Sequence, residues 1–198
     1  LSRKKFIFTQ NAGCIRLGES NTLSFPNLSI AATDRIALTG INGSGKSTLV
    51  REIIASLTIQ PHHLTHVPQE VERRQARQLL FEAQALPNEQ LGHLMSIISR
   101  LGSRPERLLQ SLEPSPGEIR KLLLALGMTR TPQIIIMDEP TNHMDLPSIQ
   151  CLEAALIDCP CALLLVSHDQ RFLDRLTSIQ WRIDKLTETL RQFELRIQ

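Results

Sequence analysis

Apolar residues follow two alternating patterns along the chain. Residues 35–39 contain a short apolar run at 36–38, and residues 134–137 and 162–166 form continuous ones. Such runs are typical of strands buried on both faces of a parallel sheet. After the first two runs, apolar residues recur every three or four positions, as they do in amphipathic helices. These residues are Leu49, Val50, Ile53, Ile54 and Leu57, then Ile149, Leu152, Ala155 and Leu156. Alternating strands and helices predict an α/β fold with a mainly parallel sheet.

The two ends of the chain carry shorter apolar stretches. Two such stretches within residues 1–30 are separated by turn-forming residues at 18–21, which predicts an antiparallel β region. Residues 64–67 predict one further strand. Near the C-terminus the pattern allows two structures. Heptad spacing favours a helix through Ile183, Leu186, Leu190, Phe193 and Ile197, whereas alternation favours a strand through Ile179, Trp181 and Ile183.

Residues 71–112 contain only helical patterns, and Pro87 separates two of the segments. Because another helix begins near Ser115, the sequence predicts a small helical subdomain at about 71–128, inserted into the core. The first of these segments is rich in arginine. A solvated helix face is the simpler interpretation of these arginines, and an RNA contact is the alternative; they are Arg73, Arg74 and Arg77.

Residues 40–48, Gly-Ile-Asn-Gly-Ser-Gly-Lys-Ser-Thr, fit the phosphate-binding pattern G-x-x-x-x-G-K-[ST]. The glycines permit backbone angles with which the amides turn inward around an anion. The lysine adds a positive charge, and the first hydroxyl after it can ligate Mg²⁺. The flanking strand and helix would place the phosphates at a helix N-terminus. The predicted nucleotide-binding residues are Gly40, Asn42, Gly43, Ser44, Gly45, Lys46, Ser47 and Thr48.

Polar residues follow the predicted strands at the sheet edge where open α/β folds bind ligands. Asp138 and Glu139 end the second apolar run, and they point to opposite sides because successive strand residues alternate. Asp138 therefore suits the Mg²⁺ shell and Glu139 suits polarising a water molecule; the alternative is a pair of solvated acids. His168 follows the third run and Gln69 follows the strand at 64–67, so each could contact a phosphate or the attacking water.

The segment Ser115-Pro116-Gly117-Glu118 begins a predicted helix and allows two interpretations. Ser115 as the N-cap, with Glu118 three residues later, would form a capping box. Alternatively, a serine and a glycine at a free helix N-terminus could bind a phosphate. Both interpretations remain open from the local sequence.

Composition narrows the class of protein. The 198 residues, of which 41% are hydrophobic and 4% aromatic, suffice for one domain with an aliphatic core. A net charge of +2 without a long basic run does not indicate a nucleic-acid-binding protein. No apolar run approaches the ~18 residues of a membrane helix, and no signal peptide is visible. A cytoplasmic protein without membrane insertion is therefore expected.

The four cysteines show no metal-ligand spacing. Cys159 and Cys161 flank Pro160 and are spaced too closely for an ordinary disulfide, so reduced thiols are expected. The chain opens on Leu1 rather than methionine, from which we expect a piece of a longer polypeptide.

Assembled in order, these stretches resemble the nucleotide-binding domains of ATP-binding cassette (ABC) proteins over residues 15–185. Residues 40–48 are similar to the Walker A motif, and residues 134–139 to Walker B with its catalytic glutamate. Gln69 falls at the Q-loop, Met144-Asp145 at the D-loop and His168 at the switch histidine. The signature motif, which faces the nucleotide of a second cassette, is matched by Ser115, Gly117 and Glu118. The resemblance implies a single nucleotide-binding domain with a P-loop NTPase core over residues 1–198.

Narrower motifs resemble the ABC-F subfamily. Residues 138–145 are similar to its DEPTNHLD motif, with Met in place of Leu, and residues 167–173 look like its SHDxxFL motif. ABC-F proteins are soluble tandem ATPases, many of which bind the ribosome, so the resemblance implies the ribosome as a partner. With one P-loop and no linker, the chain is expected to be one cassette, the C-terminal one of a tandem protein. The tail resembles the closing Trp-containing strand and hairpin of such domains, which favours strands over the heptad helix.

Two departures from the family pattern change the expectations. The family signature LSGG[QE] has Pro114 here in place of leucine and Pro116 in place of the first glycine, which removes one amide donor. Binding to the second cassette's nucleotide is therefore expected to be altered rather than lost. The adenine-stacking aromatic residue upstream of the P-loop is also missing. Because Cys14, Ile15 and Leu17 occupy that region, adenine is expected to rest on an aliphatic surface with loose base selectivity.

The resemblance implies hydrolysis of ATP to ADP and phosphate, weakly in an isolated cassette because a second cassette completes the site. Glu139 would polarise the water, His168 and Gln69 would position it, and Lys46 would offset charge on the phosphates. The residues implied in Mg²⁺ binding are Ser47, Gln69 and, through water, Asp138. Two alternative functions are the nucleotide-binding subunit of an ABC transporter and an ATP-binding clamp with negligible turnover.

Overall fold

The computed structural model describes residues 5–18, 21–186 and 192–198. Within these residues, ten strands and seven α-helices follow the alternation that the sequence predicts. The strands are β1 (Phe6–Gln10), β2 (Gly13–Leu17), β3 (Asn21–Phe25), β4 (Leu28–Ala31), β5 (Arg35–Gly40), β6 (Leu64–Val67), β7 (Ile134–Asp138), β8 (Ala162–Val166), β9 (Ile179–Lys185) and β10 (Gln192–Ile197). The helices are α1 (Lys46–Ser56), α2 (Arg73–Gln84), α3 (Asn88–Arg100), α4 (Pro105–Gln110), α5 (Pro116–Thr129), α6 (Leu146–Ile157) and α7 (Gln170–Leu176).

The main sheet is mixed and mostly parallel. Among the described residues its order is β2-β3-β10-β9-β5-β8-β7-β6, and the four strands from β5 to β6 pair in parallel. Strand β9 joins β5 in parallel, and β10 pairs with β3 in parallel. Antiparallel pairing occurs between β2 and β3 and between β9 and β10, and β1 and β4 form a separate antiparallel ribbon. The predicted α/β class, parallel sheet and N-terminal antiparallel region are confirmed.

The C-terminal segment forms strands rather than a heptad helix. Residues of β9 and β10 pair antiparallel from Phe193 opposite Lys185 to Ile197 opposite Trp181. Trp181 and Ile183 are buried, whereas the residue between them faces solvent. The alternating pattern therefore prevails because the edge of β5 offers a partner for β9. The heptad residue Leu190 and part of the predicted turn at 18–21 lie outside the described residues.

The central strands are apolar throughout because both faces of the sheet are covered. Ile134 and Ile136 of β7 pack into one hydrophobic cluster with α1, whereas Ile135 and Met137 pack into another with the remaining helices. The strand alternation thus distributes one continuous apolar run between two cores.

Four helices, α2 to α5, lie between β6 and β7 in sequence, in the segment for which a helical subdomain is predicted. Their buried leucines and isoleucines belong to the same cluster as those of α6 and α7. The three arginines of α2, Arg73, Arg74 and Arg77, are exposed, as a solvated helix face requires. Among the described residues, no helix has both the length and the apolar character that crossing a membrane would take.

Candidate nucleotide-binding site

The P-loop connects β5 to α1 and has the backbone that its glycines predict. Gly43 has φ 77° and Gly45 has φ 100°, left-handed values that other residues adopt at a cost. The Nζ of Lys46 donates to the carbonyl oxygens of Gly40 and Ile41, at 2.7 and 3.1 Å. Burial lowers the pKa of Lys46, while the carboxylates of Glu139 and Asp138 act in the opposite direction. The two hydrogen bonds therefore hold the side chain of Lys46 against the backbone of the loop.

The turn after β7 presents the two predicted carboxylates. Glu139 has φ 46°, in the left-handed region that a non-glycine residue rarely occupies. Its amide donates to the carbonyl of Val166 on β8, at 2.7 Å. Arg120, which is buried on α5, donates to the carbonyl oxygens of Asp138 and Glu139, at 2.9 and 3.0 Å. Sequence analysis missed this arginine, and a charged residue among the apolar positions of α5 was the available signal.

Two side-chain pairs meet in front of the P-loop. Nε2 of His168 lies 3.4 Å from Oε1 of Glu139, and the histidine side chain is 56% exposed while that of the glutamate is 11% exposed. The hydroxyl of Ser47 lies 3.5 Å from Oδ2 of Asp138. The carboxylate of Glu139 thus lies beside the imidazole of His168. The hydroxyl of Ser47 lies beside the carboxylate of Asp138, and both can offer oxygen ligands to a metal ion. P-loop NTPases use groups of these kinds to position or deprotonate the attacking water and to ligate Mg²⁺.

A cavity of about 630 Å³ contains most of the predicted site. Predicted residues on its wall are Asn42, Gly43, Gly45, Lys46, Ser47, Thr48, Gln69, Asp138, Glu139 and His168. Two predicted residues of the same loop, Gly40 and Ser44, do not line the cavity. The Ser44 hydroxyl is fully buried, without a hydrogen-bond partner in the described part of the chain, and a Cβ on Gly40 would lie 2.9 Å from it. The fold thus brings the P-loop, Gln69, the two carboxylates after β7 and His168 to one cavity.

The residues present fit a magnesium ion bound with a nucleotide. Mg²⁺ prefers hard oxygen ligands and commonly takes one or two from the protein and the rest from phosphate and water. Ser47, Asp138 and Gln69 offer a hydroxyl, a carboxylate and an amide oxygen on the same cavity wall. Their chemistry and the 3.5 Å between Ser47 and Asp138 match that preference.

The signature residues lie apart from this cavity and cap their own helix. The Ser115 hydroxyl accepts from the Glu118 amide, and the Glu118 carboxylate accepts from the Ser115 amide, which completes a capping box. Pro116 occupies the first turn, where its missing N–H costs the helix nothing. Neither Ser115, Gly117 nor Glu118 lines the nucleotide cavity. The capping interpretation is realised, and a phosphate contact from these residues would have to be made to another molecule.

The cavity wall also contains residues that were not predicted as site residues. Arg16, Leu17 and Gly18, at the end of β2, line it together with Arg51 of α1 and Asn142. Leu17 packs so closely on the loop that a Cβ on Gly45 would lie 2.7 Å from its Cδ2. Of the aromatic residues that the structure describes, no phenylalanine or tryptophan lines the cavity. The part of the wall that β2 supplies is therefore aliphatic and cationic, through Leu17 and Arg16.

Comparison with known proteins agrees with this geometry. A family model described as ABC transporter matches residues 23–142. The ribosome protection protein VmlR of Bacillus subtilis is 31% identical over 88% of this chain, and the ATP-binding protein Uup of Caulobacter vibrioides is 32% identical over 82% of it. The chain spans only 34% and 28% of those two proteins. The structure of an RNase-L inhibitor superimposes on 98% of this chain with a TM-score of 0.72 at 18% identity, while the match covers 39% of that protein.

The structural likeness shows the fold, and the sequence matches show the family. The family model covers more than half of the 198 residues and includes both the P-loop and the carboxylates that face it. The chain therefore belongs to the ATP-binding cassette family of ATPases, and its curated relatives are ABC-F proteins.

Proposed function

We propose that this chain binds Mg-ATP and hydrolyses it as one of two cassettes in a cytoplasmic ABC-F protein that acts on the ribosome. The observation that carries the proposal is the contact of Glu139 with His168, 3.4 Å apart, in the cavity that also contains Lys46. A base, a positioning group and a phosphate-binding cation are thereby available to one nucleotide.

In the proposed reaction a water molecule attacks the γ-phosphorus in line with the leaving ADP oxygen. The carboxylate of Glu139 accepts the water's proton, and His168 and Gln69 hold the water and the γ-phosphate in position. Lys46 and the N-terminus of α1 offset the negative charge on the phosphates. Mg²⁺, held by Ser47, Gln69 and, through water, Asp138, would supply further charge neutralisation. Arg120 acts through the backbone: it fixes the carbonyls of the turn that carries Glu139.

The ribosome is proposed as the partner because of the ABC-F motifs and the relatives. The sequence at 138–145 is that of ABC-F proteins except for one residue, and one curated relative is named a ribosome protection protein. Pelleting of ribosomes with the full-length protein that contains this chain, with and without a non-hydrolysable ATP analogue, tests the proposal. Nucleotide-dependent co-sedimentation is expected. Its absence, combined with capture by a membrane partner, would favour the nucleotide-binding subunit of a transporter.

A second candidate, an ATP-binding clamp with negligible turnover, is favoured by the signature segment. Ser115 and Glu118 are engaged in capping their own helix, and Pro116 offers no amide. Turnover above background in any concentration regime would exclude this candidate.

Isolated chains are expected to hydrolyse ATP slowly, and the activity per molecule is expected to rise with protein concentration. The physical reason is that the signature residues do not reach the cavity of their own chain, so two copies must meet head to tail to complete two sites. ATPase activity per mole should be measured over a wide concentration range, with sedimentation in parallel. Pro116 should keep the association weak. A monomer that turns over rapidly at every concentration would refute the shared site.

The nucleotide base is proposed to rest on Leu17 and on the guanidinium of Arg16. Of the three residues that occupy the position of the missing aromatic group, Leu17 lines the cavity whereas Cys14 and Ile15 do not. Arg16 lies beside Leu17, and its planar guanidinium can stack on a base. Leu17 and a stacked Arg16 guanidinium would contact the face of the base and not its hydrogen-bonding edge, so they suit adenine and guanine alike. Loose selectivity between adenine and guanine follows.

ATP and GTP are therefore expected to bind with similar affinities, and Arg16→Ala is expected to weaken both together. A cation–π contact is worth about 0.5–2 kcal/mol, so roughly a 2- to 30-fold increase in Kd is expected for each nucleotide. Titration calorimetry measures it, with Arg74→Ala, an exposed arginine away from the cavity, as the matched control. Strong discrimination against GTP, or an unchanged Kd in Arg16→Ala, would contradict this arrangement.

A further inference from the structure

Two cysteines that ATP hydrolysis does not use lie side by side in the interior. The Sγ atoms of Cys159 and Cys161 are 3.0 Å apart, and both residues are buried, at 7% and 3% exposure. Cys159 follows the C-terminal end of α6, and Cys161 directly precedes β8. The chain's other thiols, Cys14 and Cys151, are also free. The pair is thus the place where two thiols can react with each other within one chain.

The two thiols differ in access. Cys159 lines a cavity of about 400 Å³ together with His93, Arg100 and Asp158, and Cys161 does not. Arg100 and Asp158 form an ion pair of 2.8 Å whose side chains are more than half exposed, so this cavity opens to solvent beside them. Cys159 therefore has the shorter path from solvent, through this cavity, and Cys161 does not line the cavity.

The surroundings also favour thiolate formation at Cys159. Arg35 donates to the carbonyl oxygens of Leu156 and Cys159, at 2.9 and 2.6 Å, which fixes a guanidinium beside the pair. The hydrogen bond between the two sulfurs, aided by the charge of Arg35, lowers the pKa of Cys159 to about 7, although burial acts in the opposite direction. The same hydrogen bond and burial raise the pKa of Cys161. These opposite directions favour a thiolate on Cys159 with the proton on Cys161.

We propose that Cys159 and Cys161 form an oxidation site, in which a hydroperoxide oxidises Cys159 and Cys161 then closes a reversible disulfide with it. In the first step the Cys159 thiolate attacks a peroxide oxygen. The S–O bond forms, the O–O bond breaks, and the peroxide leaves as alcohol or water while the sulfur becomes a sulfenic acid. In the second step the sulfur of Cys161 attacks that of Cys159. The S–S bond forms, the S–O bond breaks, and the Cys161 proton leaves with the hydroxyl group as water.

The narrow spacing sets the character of this disulfide. A disulfide between residues separated only by Pro160 closes a very short loop, so it constrains the unfolded chain little and stabilises the fold little. The closeness that argues against a permanent bridge thus fits a transient one. A cellular dithiol would reduce it to the two thiols by thiol–disulfide exchange and would itself become a disulfide.

The test uses the 198-residue chain with Cys14→Ser and Cys151→Ser, which leaves only the pair. Folded protein treated with stoichiometric hydrogen peroxide should lose about 2 Da in intact mass, corresponding to two hydrogens, and dithiothreitol should restore the mass. Adding Cys161→Ser should stop the reaction at a sulfenic acid that dimedone traps. Adding Cys159→Ser instead should slow oxidation of the remaining thiol severely.

The chain with all four cysteines provides an internal control that needs no substitution. Its exposed Cys14 reports how reactive an ordinary surface thiol is under the same conditions. The proposal is overturned if Cys14 is oxidised while Cys159 and Cys161 stay reduced in the folded protein. It is equally overturned if the Cys159→Ser and Cys161→Ser variants react alike.

Discussion

Replacing Glu139 with glutamine should abolish ATP hydrolysis and leave Mg-ATP binding close to that of the unmodified chain. The amide cannot accept a proton from the attacking water, although it has nearly the same shape and can keep the contact with His168, 3.4 Å away. General-base catalysis contributes about 10²- to 10⁴-fold, and a loss of that order in turnover is expected. Steady-state phosphate release measures the turnover, and calorimetric titration measures the binding.

The matched control for Glu139→Gln is Glu52→Gln. Glu52 is an exposed glutamate on α1, the helix that begins at the P-loop, and it does not line the cavity. It should keep full turnover. Should the Glu139→Gln chain hydrolyse ATP at the normal rate, the general base would lie elsewhere in the molecule.

Lys46→Ala should impair nucleotide binding and turnover together while the fold persists. The carbonyls of Gly40 and Ile41 hold the Lys46 ammonium group beside the loop on which the phosphates are expected to bind. Loss of one such preorganised donor typically costs roughly 10²–10³ in rate. Titration with Mg-ATP and a turnover assay measure the two effects, and a thermal melt establishes that the variant is folded.

Lys5→Ala provides the comparison for Lys46→Ala, because Lys5 is exposed and lies outside the cavity. It should bind and hydrolyse ATP as the unmodified chain does. A folded Lys46→Ala chain with ordinary ATP affinity and turnover would remove the P-loop from the proposed mechanism.

The predicted site residues came from motifs in which each residue type has a chemical task. Glycines, a lysine and a serine at fixed spacing describe a phosphate-binding loop, and such a pattern is visible without coordinates. Arg120 and Arg16 had no such pattern. Arg120 acts on backbone carbonyls of a turn that is 18 and 19 residues away in sequence, and Arg16 lines the cavity through the position of β2. Contacts of this kind depend on how distant segments pack.

The C-terminal segment also shows the difference between what a local sequence pattern predicts and what packing decides. Its apolar residues fit both a heptad and an alternation, and local periodicity does not separate them. Pairing of β9 with β5 decides between the two structures, because the edge of β5 offers backbone hydrogen bonds that a helix could not use. The resemblance of this segment to the closing strands of related domains favours the same structure as the pairing.

By itself, the sequence determined the α/β class, the P-loop and the carboxylates at the end of β7. These features depend on residues that are close together in the chain. Only the tertiary structure decided that Glu139 meets His168 and that the signature caps its own helix, away from the nucleotide cavity. The same holds for the two thiols, whose 3.0 Å separation and unequal access depend on how α6 ends and β8 begins. The physical reason is that sequence patterns report spacing along the chain, whereas these contacts depend on how the turns between elements orient their side chains.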